Sequence, residues 1–386
     1  MNKFRLIATA AFGVEAVVAD ELKKLGYTDL KIENSRVRFT ADESAIARCN
    51  LWLRSADRIL IEVGEFDAFT FDELFEKTKA LPWADYLPRE AEFPVEGKSI
   101  NSKLFSVSDC QAIVKKAIVE KLKQTYPCKW FEEDGPRYRI EVALLKDHAI
   151  LTLDTSGIGL HKRGYRKLVA EAPLKETLAA AIISLSRWKP DRAFIDPFCG
   201  SGTFPIEAAL LGRNMAPGLN RAFDAEKWGF VSSRFWSKGR EEARDLIDYK
   251  QPLGIFGFDI DKDAISLSRY HAEQAGLKDS IFFQRQPVDS LGSRYKYGYL
   301  ICNPPYGERM SDKKEVEQLY KTMGSVFEGL DTWSFYVLTS HPQFEKWFGG
   351  RASKKRKLYN GRLQCNLYQY FGPKPSDLRG PFARTD

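Results

Sequence analysis

"AFIDPFCGSGTF", residues 193–204, decides the fold of the C-terminal part of the chain. Its apolar start predicts a short strand, Gly200 and Gly202 predict a tight turn, and the residues from Thr203 onward predict a helix. Such a turn lets a ligand approach the backbone and the N-terminal amides of the helix. Gly-x-Gly turns also occur in ordinary loops, so the turn alone does not establish a binding site.

The chain after this stretch alternates strands with amphipathic helices. This alternation predicts an α/β fold with a parallel, doubly wound sheet. The C-terminal end differs, because Asn360 and Gly361 separate the apolar runs "KRKLY" and "LQCNLYQYF" and are typical of a hairpin turn. We therefore expect the last two strands to be antiparallel neighbours, which is not the arrangement of a dinucleotide dehydrogenase.

Residues 1–160 have a different pattern, which predicts two short α+β units. The first runs from 1 to 62 and includes "LKIENSRVRFT", which we interpret as one strand. The second runs from 63 to 160 and contains a long helix whose N-cap candidate is Ser108. A connector then leads into the α/β part, which extends to residue 386.

Three acidic residues follow predicted strands of the α/β part. Asp196 lies at the end of the strand before the glycine turn, where pyrophosphate would be repelled, and the turn lacks the third glycine of the pyrophosphate fingerprint. An acid there suits a ligand with cationic groups, such as the ammonium and sulfonium of S-adenosylmethionine. Asp259 could receive ribose hydroxyls, and Asp289 could accept from an adenine amino group. A lone acid after a strand is more often a helix N-cap, and Asp261 is a candidate for that role.

"ICNPPYGERM", residues 301–310, ends a predicted strand in a rigid corner. Pro304 and Pro305 lack amide protons and restrict the backbone, so the corner presents carbonyl acceptors. The side-chain oxygen of Asn303 adds an acceptor, and Tyr306 offers a flat face for stacking. Such a pair of acceptors could hold both hydrogens of an exocyclic amino group. A proline-terminated strand leading into a surface loop is the structural alternative.

Positive charge is concentrated in two places. Residues 341–386 contain ten Lys or Arg and three Asp or Glu, a surplus equal to the net charge of +7 of the whole chain. A second basic segment is "LHKRGYRK", residues 160–167. Such zones are typical of proteins that bind polyanions, although a solvated face without a partner is possible. The predicted phosphate-binding residues are Lys162, Arg163, Arg166, Lys354, Lys355, Arg356 and Lys357.

The cysteines and the N-terminus exclude several classes of protein. The six cysteines are widely spaced and form no C-x-x-C pair, which argues against a disulfide framework and against a zinc site. Arg5, Glu15 and Asp20 interrupt the segment where a signal peptide would be apolar. We therefore expect a cytoplasmic protein with free thiols, without a metal and without a membrane partner.

Several motifs in this order resemble a known family. "DPFCGSGT", "GFDID" and "NPPYGERM" resemble the class I S-adenosylmethionine-dependent methyltransferases that modify exocyclic amino groups. "DTSGIGLHKRGYR", "APLKETLAAA" and "KLYNGRLQCNLYQYF" are more narrowly similar to the bacterial THUMP-containing ribosomal RNA methyltransferases, which methylate N2 of a guanine in 23S rRNA. Some members carry a second fused methyltransferase domain, and only one such domain is expected here.

The resemblance implies three domains and a set of functional residues. The domains are a ferredoxin-like subdomain (1–62), an RNA-binding THUMP domain (63–160) and a Rossmann-like methyltransferase domain with a seven-stranded sheet and an antiparallel last strand (161–386). S-adenosylmethionine is the implied cofactor, and 23S rRNA or a ribosome assembly intermediate is the implied partner. The implied catalytic residues are Asn303, Pro304 and Tyr306. The implied cofactor-binding residues are Asp196, Cys199, Gly200, Ser201, Gly202, Thr203, Asp259, Ile260, Asp289 and Asn303.

Other functions remain open from the sequence. The same corner would serve an amino methyltransferase acting on a tRNA guanine, on adenine N6 or on a protein glutamine. C5-pyrimidine methylation would need a cysteine nucleophile, for which Cys199 and Cys302 are candidates, although neither has an evident base beside it. A non-enzymatic RNA-binding module with a decayed cofactor site is the third alternative.

Overall fold

The computed structural model describes residues 3–168, 174–306 and 313–374. The chain divides into two compact units. The first contains residues 1–10, 19–160 and 221–242, and the second contains residues 11–18, 161–220 and 243–386. This division differs from the three consecutive segments expected from the sequence. In particular, residues 221–242 belong to the first unit, where the Trp228 ring stacks on the Tyr138 ring with centroids 4.7 Å apart.

A seven-stranded sheet in the order β2-β3-β1-β4-β7-β6-β5 forms the first unit. Its strands are β1 (Lys3–Ala10), β2 (Lys31–Glu33), β3 (Arg36–Asp42), β4 (Ala56–Asp67), β5 (Val95–Ile100), β6 (Ile140–Leu145) and β7 (His148–Asp154). The helices in this part of the chain are α1 (Glu15–Lys24), α2 (Ser44–Trp52), α3 (Phe71–Lys79) and α4 (Val107–Thr125). Because β4 pairs with β7, both N-terminal α+β segments share one sheet.

Two local predictions for this unit were wrong. Ser108 lies inside α4, and the residue that precedes the helix is Ser106. "LKIENSRVRFT" forms two antiparallel strands, β2 and β3, because Ser35 adopts a left-handed φ of 62° and reverses the chain. A serine with positive φ is uncommon, so composition did not indicate this turn.

The sheet of the second unit has the order β10-β9-β8-β11-β12-β14-β13. Its strands are β8 (Phe194–Asp196), β9 (Ile255–Asp259), β10 (Phe282–Arg285), β11 (Tyr299–Cys302), β12 (Ser334–Thr339), β13 (Lys354–Asn360) and β14 (Leu363–Tyr370). The later helices of the chain are α5 (Glu176–Ser186), α6 (Thr203–Gly212), α7 (Ser233–Asp245), α8 (Lys262–Gln274), α9 (Lys313–Glu328) and α10 (Phe344–Phe348).

This sheet confirms the predicted Rossmann-like class with an antiparallel end. Strands β8 to β12 are mutually parallel, whereas β14 is antiparallel to both β12 and β13. Asn360 pairs with Leu363, so Gly361, with φ of 63°, and Arg362 form the two-residue hairpin turn. One side of the sheet packs on α9 and α10 through Tyr320 and Phe344, both fully buried.

The strand order determines where ligands can bind. Strand β8 lies between β9 and β11. The chain continues from β8 to β9 and β10 on one side of it and then crosses to β11 and β12 on the other side, so the carboxyl end of β8 is a topological switch point. The segments that follow β8, β9, β10 and β11 therefore gather at one edge of the sheet. No helix within the described ranges is long and apolar enough to cross a membrane.

Candidate functional site

The glycine turn after β8 is built by backbone hydrogen bonds. The Cys199 amide donates to the Phe258 carbonyl at 2.8 Å, which anchors the turn to the neighbouring strand β9. The Gly202 amide donates to the Cys199 carbonyl at 2.7 Å and closes the turn before α6 begins at Thr203. The first turn of α6 therefore lies at the edge where the parallel strands end.

Both glycines have positive φ, but for different reasons. Gly202 has φ of 86°, and a Cβ there would lie 3.0 Å from Ser268 Cβ and 3.3 Å from Phe283 Cζ. Gly200 has φ of 49°, and a Cβ there would meet no protein atom within 4 Å. Gly202 thus lets the turn pack against the protein, and Gly200 borders open space in which a ligand can approach the backbone.

Asp196 is a buried carboxylate at the end of β8. Its side chain accepts a hydrogen bond from the Phe198 amide at 3.0 Å, and the residue is 1% exposed. Burial raises the pKa of Asp196 well above its usual range, and the nearby Asp259 charge raises it further. A cationic ligand group beside Asp196 would lower this pKa and stabilise the ionised carboxylate, so the site fits the ammonium and sulfonium expected there.

Strand β9 ends beside this turn on Asp259. One carboxylate oxygen accepts from the Gly200 amide at 2.9 Å, and the other accepts from the Asp261 amide at 3.0 Å. Each carboxylate oxygen can accept a further bond, so ribose hydroxyls can still be received. Ile260 is 65% exposed, although most isoleucines are buried, and it offers an apolar surface at the same edge. Asp261 is the N-cap of α8, as expected, and accepts from the Asp263 amide.

Asp289 lies farther along the same edge. It is exposed and belongs to a short 3₁₀ turn, Val288–Ser290, that follows β10. Strand β10 pairs with β9 so that Arg285 is opposite Asp259. Asp196 and Asp259 therefore end two neighbouring strands, and Asp289 follows the third. Their assignment to the methionine, ribose and adenine parts of the cofactor stays a prediction.

The proline corner follows β11 on the other side of β8. Leu300 pairs with Ile195, so Asn303 and the glycine turn leave adjacent parallel strands at the same edge. Asn303 and Tyr306 are half-buried and Pro304 is buried. The charge of Asp196 contributes, after burial, to the raised pKa of the Cys302 thiol, which is consistent with this proximity.

The side chains of the corner contact one another. The Tyr306 hydroxyl donates to Asn303 Oδ1, and Cys365 Sγ of β14 lies 3.9 Å from the Tyr306 oxygen. The Tyr320 hydroxyl donates to the Pro305 carbonyl at 2.9 Å, which fixes the backbone of the corner. The sequence did not predict the hydrogen bond between Tyr306 and Asn303. The last part of the quoted motif, residues 307–310, lies outside the described residues.

Cys199 and Cys302 are poor candidates for a nucleophile. Both thiols are buried, and burial raises the pKa of each well above its usual value. The charge of Asp196 raises both values further. A buried thiol that keeps its proton does not attack a pyrimidine ring, so the structure argues against the C5 alternative.

Arg163 of the first basic segment is buried in an ion pair. Its guanidinium contacts the Glu207 carboxylate of α6 through Nε and Nη2, at 3.4 Å and 3.3 Å. The Tyr165 hydroxyl donates to the same carboxylate at 3.2 Å. The side chains of Arg163 and Glu207 are 2% and 0% exposed. The expectation that Arg163 contacts an RNA phosphate is therefore corrected, because its charge faces the protein interior.

Arg166 is also turned inward, toward the glycine turn. It forms an ion pair with Glu176 of α5 at 3.0 Å and donates to the Thr203 hydroxyl at the start of α6. Its side chain is 6% exposed, which corrects the expectation of a phosphate contact. His271 Nδ1 donates to the Ser201 carbonyl at 3.0 Å and supports the same turn from α8.

Sequence reasoning missed this supporting cluster. One signal was present, because Glu176 and Glu207 are single acids within the apolar helices α5 and α6. A carboxylate in such a helix needs a buried cationic partner, and the arginines of "KRGYR" provide it. Lys162 of the same segment is exposed.

The second basic segment lies on β13, an edge strand. Lys354 and Lys357 are exposed. Lys355 forms an ion pair with Glu345, and Arg356 donates to the Gly13 carbonyl at 2.8 Å. The described residues contain no group of His, Cys, Asp and Glu side chains that could hold a metal ion.

Three protein-family models match parts of this chain. Residues 163–369 match the RMKL-like methyltransferase domain. Residues 5–60 match the RlmL ferredoxin-like domain, and residues 68–154 match the THUMP domain.

Two curated relatives illustrate the sequence similarity. A Bacillus subtilis protein named "Putative RNA methyltransferase YpsC" is 54% identical over 96% of this chain and 97% of its own length. The "Ribosomal RNA large subunit methyltransferase K/L" of Syntrophotalea carbinolica is 35% identical over 95% of this chain. This chain spans 53% of that relative, about half of its length.

Solved structures share the fold over nearly the whole chain. A Listeria monocytogenes protein, described as a predicted N6-adenine-specific DNA methylase, has a TM-score of 0.92 and 55% identity over 97% of both chains. SMU.472, described as "a putative methyltransferase complexed with SAH", has a TM-score of 0.92 and 48% identity. It is covered completely and covers 97% of this chain.

Proposed function

The chain belongs to the family of RMKL-like, THUMP-containing RNA methyltransferases, and from this premise we propose that it methylates N2 of a guanine in 23S rRNA. The cofactor is S-adenosylmethionine, which supplies an electrophilic methyl group on a cationic sulfonium. The observation that carries the proposal is the placement of Asn303 after β11, beside the glycine turn that follows β8. This placement brings an amine-binding corner next to a site suited to a cation.

The residues on the cofactor side of the site bind and orient S-adenosylmethionine. We assign the cationic methionine part to Asp196 and the backbone of Gly200 and Gly202. Asp259 accepts from the ribose hydroxyls, Ile260 packs against the adenine, and Asp289 accepts from its amino group. Cys199, Ser201 and Thr203 hold the turn in place. Because Asp196 is buried and its pKa is raised, binding of a cation favours its ionised form.

The substrate side aligns the amino group. Asn303 Oδ1 and the Pro304 carbonyl accept the two hydrogens of the exocyclic amine, which turns the nitrogen lone pair toward the methyl group. The Tyr306 hydroxyl already donates to Asn303 Oδ1, and this bond fixes the orientation of the amide. A carbonyl oxygen has two lone pairs, so the substrate can use the second. We assign stacking of the base to the Tyr306 ring.

The base must leave its helix before it reaches this corner, since a paired amine cannot approach the methyl donor. S-adenosylmethionine held by Asp196, Asp259 and Asp289 would supply the methyl group to this nitrogen and would leave as S-adenosylhomocysteine. The nitrogen afterwards loses a proton to water. Burial raises the pKa of Tyr306, so its hydroxyl keeps its proton and acts as a hydrogen-bond donor rather than as a base.

The test uses 23S rRNA purified from a strain that lacks this gene. The wild-type protein should produce N2-methylguanosine, detected by mass spectrometry of the nucleosides. Asn303→Ala should lower kcat by about 100-fold or more, because misalignment of a reacting group has effects of this size. Its affinity for S-adenosylmethionine should change by less than about threefold, since the cofactor contacts remain.

Cys302→Ala, at the adjacent position, is the control. It should retain methyl transfer, whereas a mechanism with a Cys302 nucleophile requires its loss. Unchanged activity of Asn303→Ala would contradict the proposed role of the corner.

A tRNA guanine or an adenine N6 is the second candidate substrate, because the corner recognises an amino group and not a particular ring. The name of the Listeria relative favours including adenine in the test. Incubation with the tRNA of the same strain, and mass spectrometry for N6-methyladenosine as well as N2-methylguanosine, distinguishes these outcomes from methylation of 23S rRNA.

A further inference from the structure

The hairpin of β13 and β14 extends beyond the edge of the sheet that carries the substrate corner. Asn366 of β14 pairs with Thr339, the last residue of β12, so the residues before Asn366 lie past the carboxyl end of β12. Cys365 lies there and contacts the Tyr306 hydroxyl. Its partner across the hairpin is Leu358, one residue before Tyr359. The hairpin therefore adjoins the corner that we assign to the target base.

A loop from the N-terminal part of the chain covers the free edge of this hairpin. Gly13 accepts a hydrogen bond from Arg356, and a Cβ at Gly13 would lie 2.8 Å from the Lys357 carbonyl oxygen. The φ of Gly13 is 94°, so both the space and the backbone conformation favour glycine. The close approach places the Phe12 ring edge-on to Tyr359, with centroids 6.0 Å apart.

The resulting surface combines aromatic rings with positive charge. Phe12 is 43% exposed, which is high for this residue type. The Lys357 ammonium lies 5.4 Å from the centre of the Tyr359 ring. Arg362 in the hairpin turn is exposed, and the sequence contains no Asp or Glu from residue 346 to residue 374. We call Phe12, Lys357, Tyr359 and Arg362 the hairpin-tip patch.

We propose that the hairpin-tip patch binds the RNA nucleotides that flank the target base. Aromatic faces stack on unpaired bases, and neighbouring cations hold the phosphates, a combination that suits single-stranded RNA. The absence of acids along the hairpin sequence favours a polyanion over a protein partner. The contact between Cys365 and Tyr306 joins the hairpin to the base-binding corner, and Lys357 and Tyr359 lie on the opposite face of the same hairpin. This inference rests on the proposed function and adds a second contact region for the same substrate.

Lys357 and Lys355 provide a matched pair for the test. Both point to the same side of β13, because they are two residues apart on a strand. Lys355 already forms an ion pair with Glu345 and lies over the Tyr368 ring, whereas Lys357 belongs to the patch. Lys357→Ala should reduce the slope of log affinity for RNA against log salt by about 0.7, the value for one phosphate contact on a single strand. Lys355→Ala should change this slope much less.

Tyr359 provides the test of stacking. With 23S rRNA from the deletion strain, Tyr359→Ala should raise KM for RNA by about 5- to 140-fold, the range for loss of one stacked base. Its kcat at saturating RNA should change little, because the patch does not touch the reacting atoms. Tyr359→Phe should restore the wild-type KM, since the ring face is retained. Affinity for S-adenosylmethionine should be the same in all of these variants.

The results distinguish failure of the proposed function from failure of the inference about the hairpin-tip patch. If the wild-type protein transfers no methyl group to RNA, the proposed function itself is wrong. If the wild-type protein methylates RNA while Tyr359→Ala keeps the same KM, the patch is not part of the RNA interface and only this inference is overturned. Should Tyr359→Ala weaken S-adenosylmethionine binding through misfolding, Lys357→Ala decides the matter, and a salt slope equal to that of Lys355→Ala rejects the inference.

Discussion

The two basic segments of the second unit look alike in sequence but have opposite environments. In residues 162–167, Arg163 and Arg166 are turned inward and neutralised by carboxylates. In residues 354–357, Lys354 and Lys357 are exposed on an edge strand. The first segment stabilises the cofactor turn, and the second offers charge to a polyanion. Local charge density therefore does not identify an RNA-binding surface until the positions of the acids are known.

The difference arises from distant residues. Glu207 lies 44 residues after Arg163 and reaches it only because α6 packs against the connector that carries the arginine. A buried carboxylate is costly without a cation, and a buried arginine is costly without an acid, so the two positions depend on each other. In the hairpin, Lys355 pairs with Glu345, and the sequence from residue 346 to residue 374 contains no acid that could do the same for Lys354 and Lys357.

The largest expected effect tests whether the first segment is structural. Arg163→Met leaves Glu207 buried without its cation, and breaking a buried ion pair lowers the free energy of unfolding by about 3–5 kcal/mol. Urea denaturation followed by circular dichroism measures this loss. The double variant Arg163→Met with Glu207→Leu removes both charges and should recover most of the stability. A single variant as stable as the wild type would show that Arg163 does not have the role assigned here.

The next effect concerns the cofactor turn. Arg166→Lys keeps a positive charge near Glu176, but an ammonium cannot reproduce the planar fork that also reaches Thr203. Affinity for S-adenosylmethionine, measured by calorimetry, should fall by about tenfold or more, as expected for loss of a charged hydrogen bond. Lys167→Ala changes the exposed residue next to it and should leave this affinity unchanged. Equal effects of the two substitutions would remove the distinction between buried and exposed cations.

The pH dependence of cofactor affinity should show whether Asp196 receives the cation. The pKa of Asp196 is raised in the folded protein, first by burial, so folding disfavours its ionised form. The stability contributed by the neutral carboxyl is present below the pKa of the unfolded chain and is lost as the pH rises through the folded-state pKa. Cofactor binding favours the ionised form, so a proton is released below the folded-state pKa.

This linkage can be measured by calorimetry in buffers that differ in ionisation enthalpy. Affinity for S-adenosylmethionine should rise about tenfold per pH unit below the pKa of Asp196 and level off above it. Asp196→Asn should bind more weakly and without this proton release. If the wild-type protein releases no proton over the pH range in which affinity changes, Asp196 is not the group that receives the cation.

The smallest expected effect belongs to the exposed segment. Lys354→Ala should weaken RNA binding by about threefold or less and reduce the salt slope by at most about 0.7, because one solvated cation contributes a single phosphate contact. Stability and cofactor affinity should not change. A loss of stability comparable to that of Arg163→Met would mean that Lys354 is as structural as the buried arginines, and the contrast between the segments would fail.

Much of the fold followed from local patterns. The helix expected over "TFPIEAALLG" is α6 (Thr203–Gly212), and the turn expected at Asn360 and Gly361 joins β13 to β14. Parallel strands separated by helices share one carboxyl edge, so the strand pattern alone predicts that the motifs at the ends of β8, β9 and β11 belong to one site.

Other features depended on packing and were missed. Ser35 reverses the chain where one strand was expected, and residues 221–242 belong to the first unit although they follow α6 in the sequence. The contact of Phe12 with Tyr359 joins residues far apart in the chain. None of these features has a periodic or compositional signal, because each depends on which surfaces meet after the sheets have formed.

The sequence alone determined the features that depend on residues close together in the chain. Glycines permit the turn at 200–202, prolines stiffen the backbone after Asn303, and alternating apolar runs specify strands and helices. Only the tertiary structure decided which charges are solvated, which carboxylate has a raised pKa, and which hydroxyl holds the Asn303 amide. The physical reason is that burial and electrostatic pairing depend on distances in space, and these are established between residues that local chain geometry does not connect.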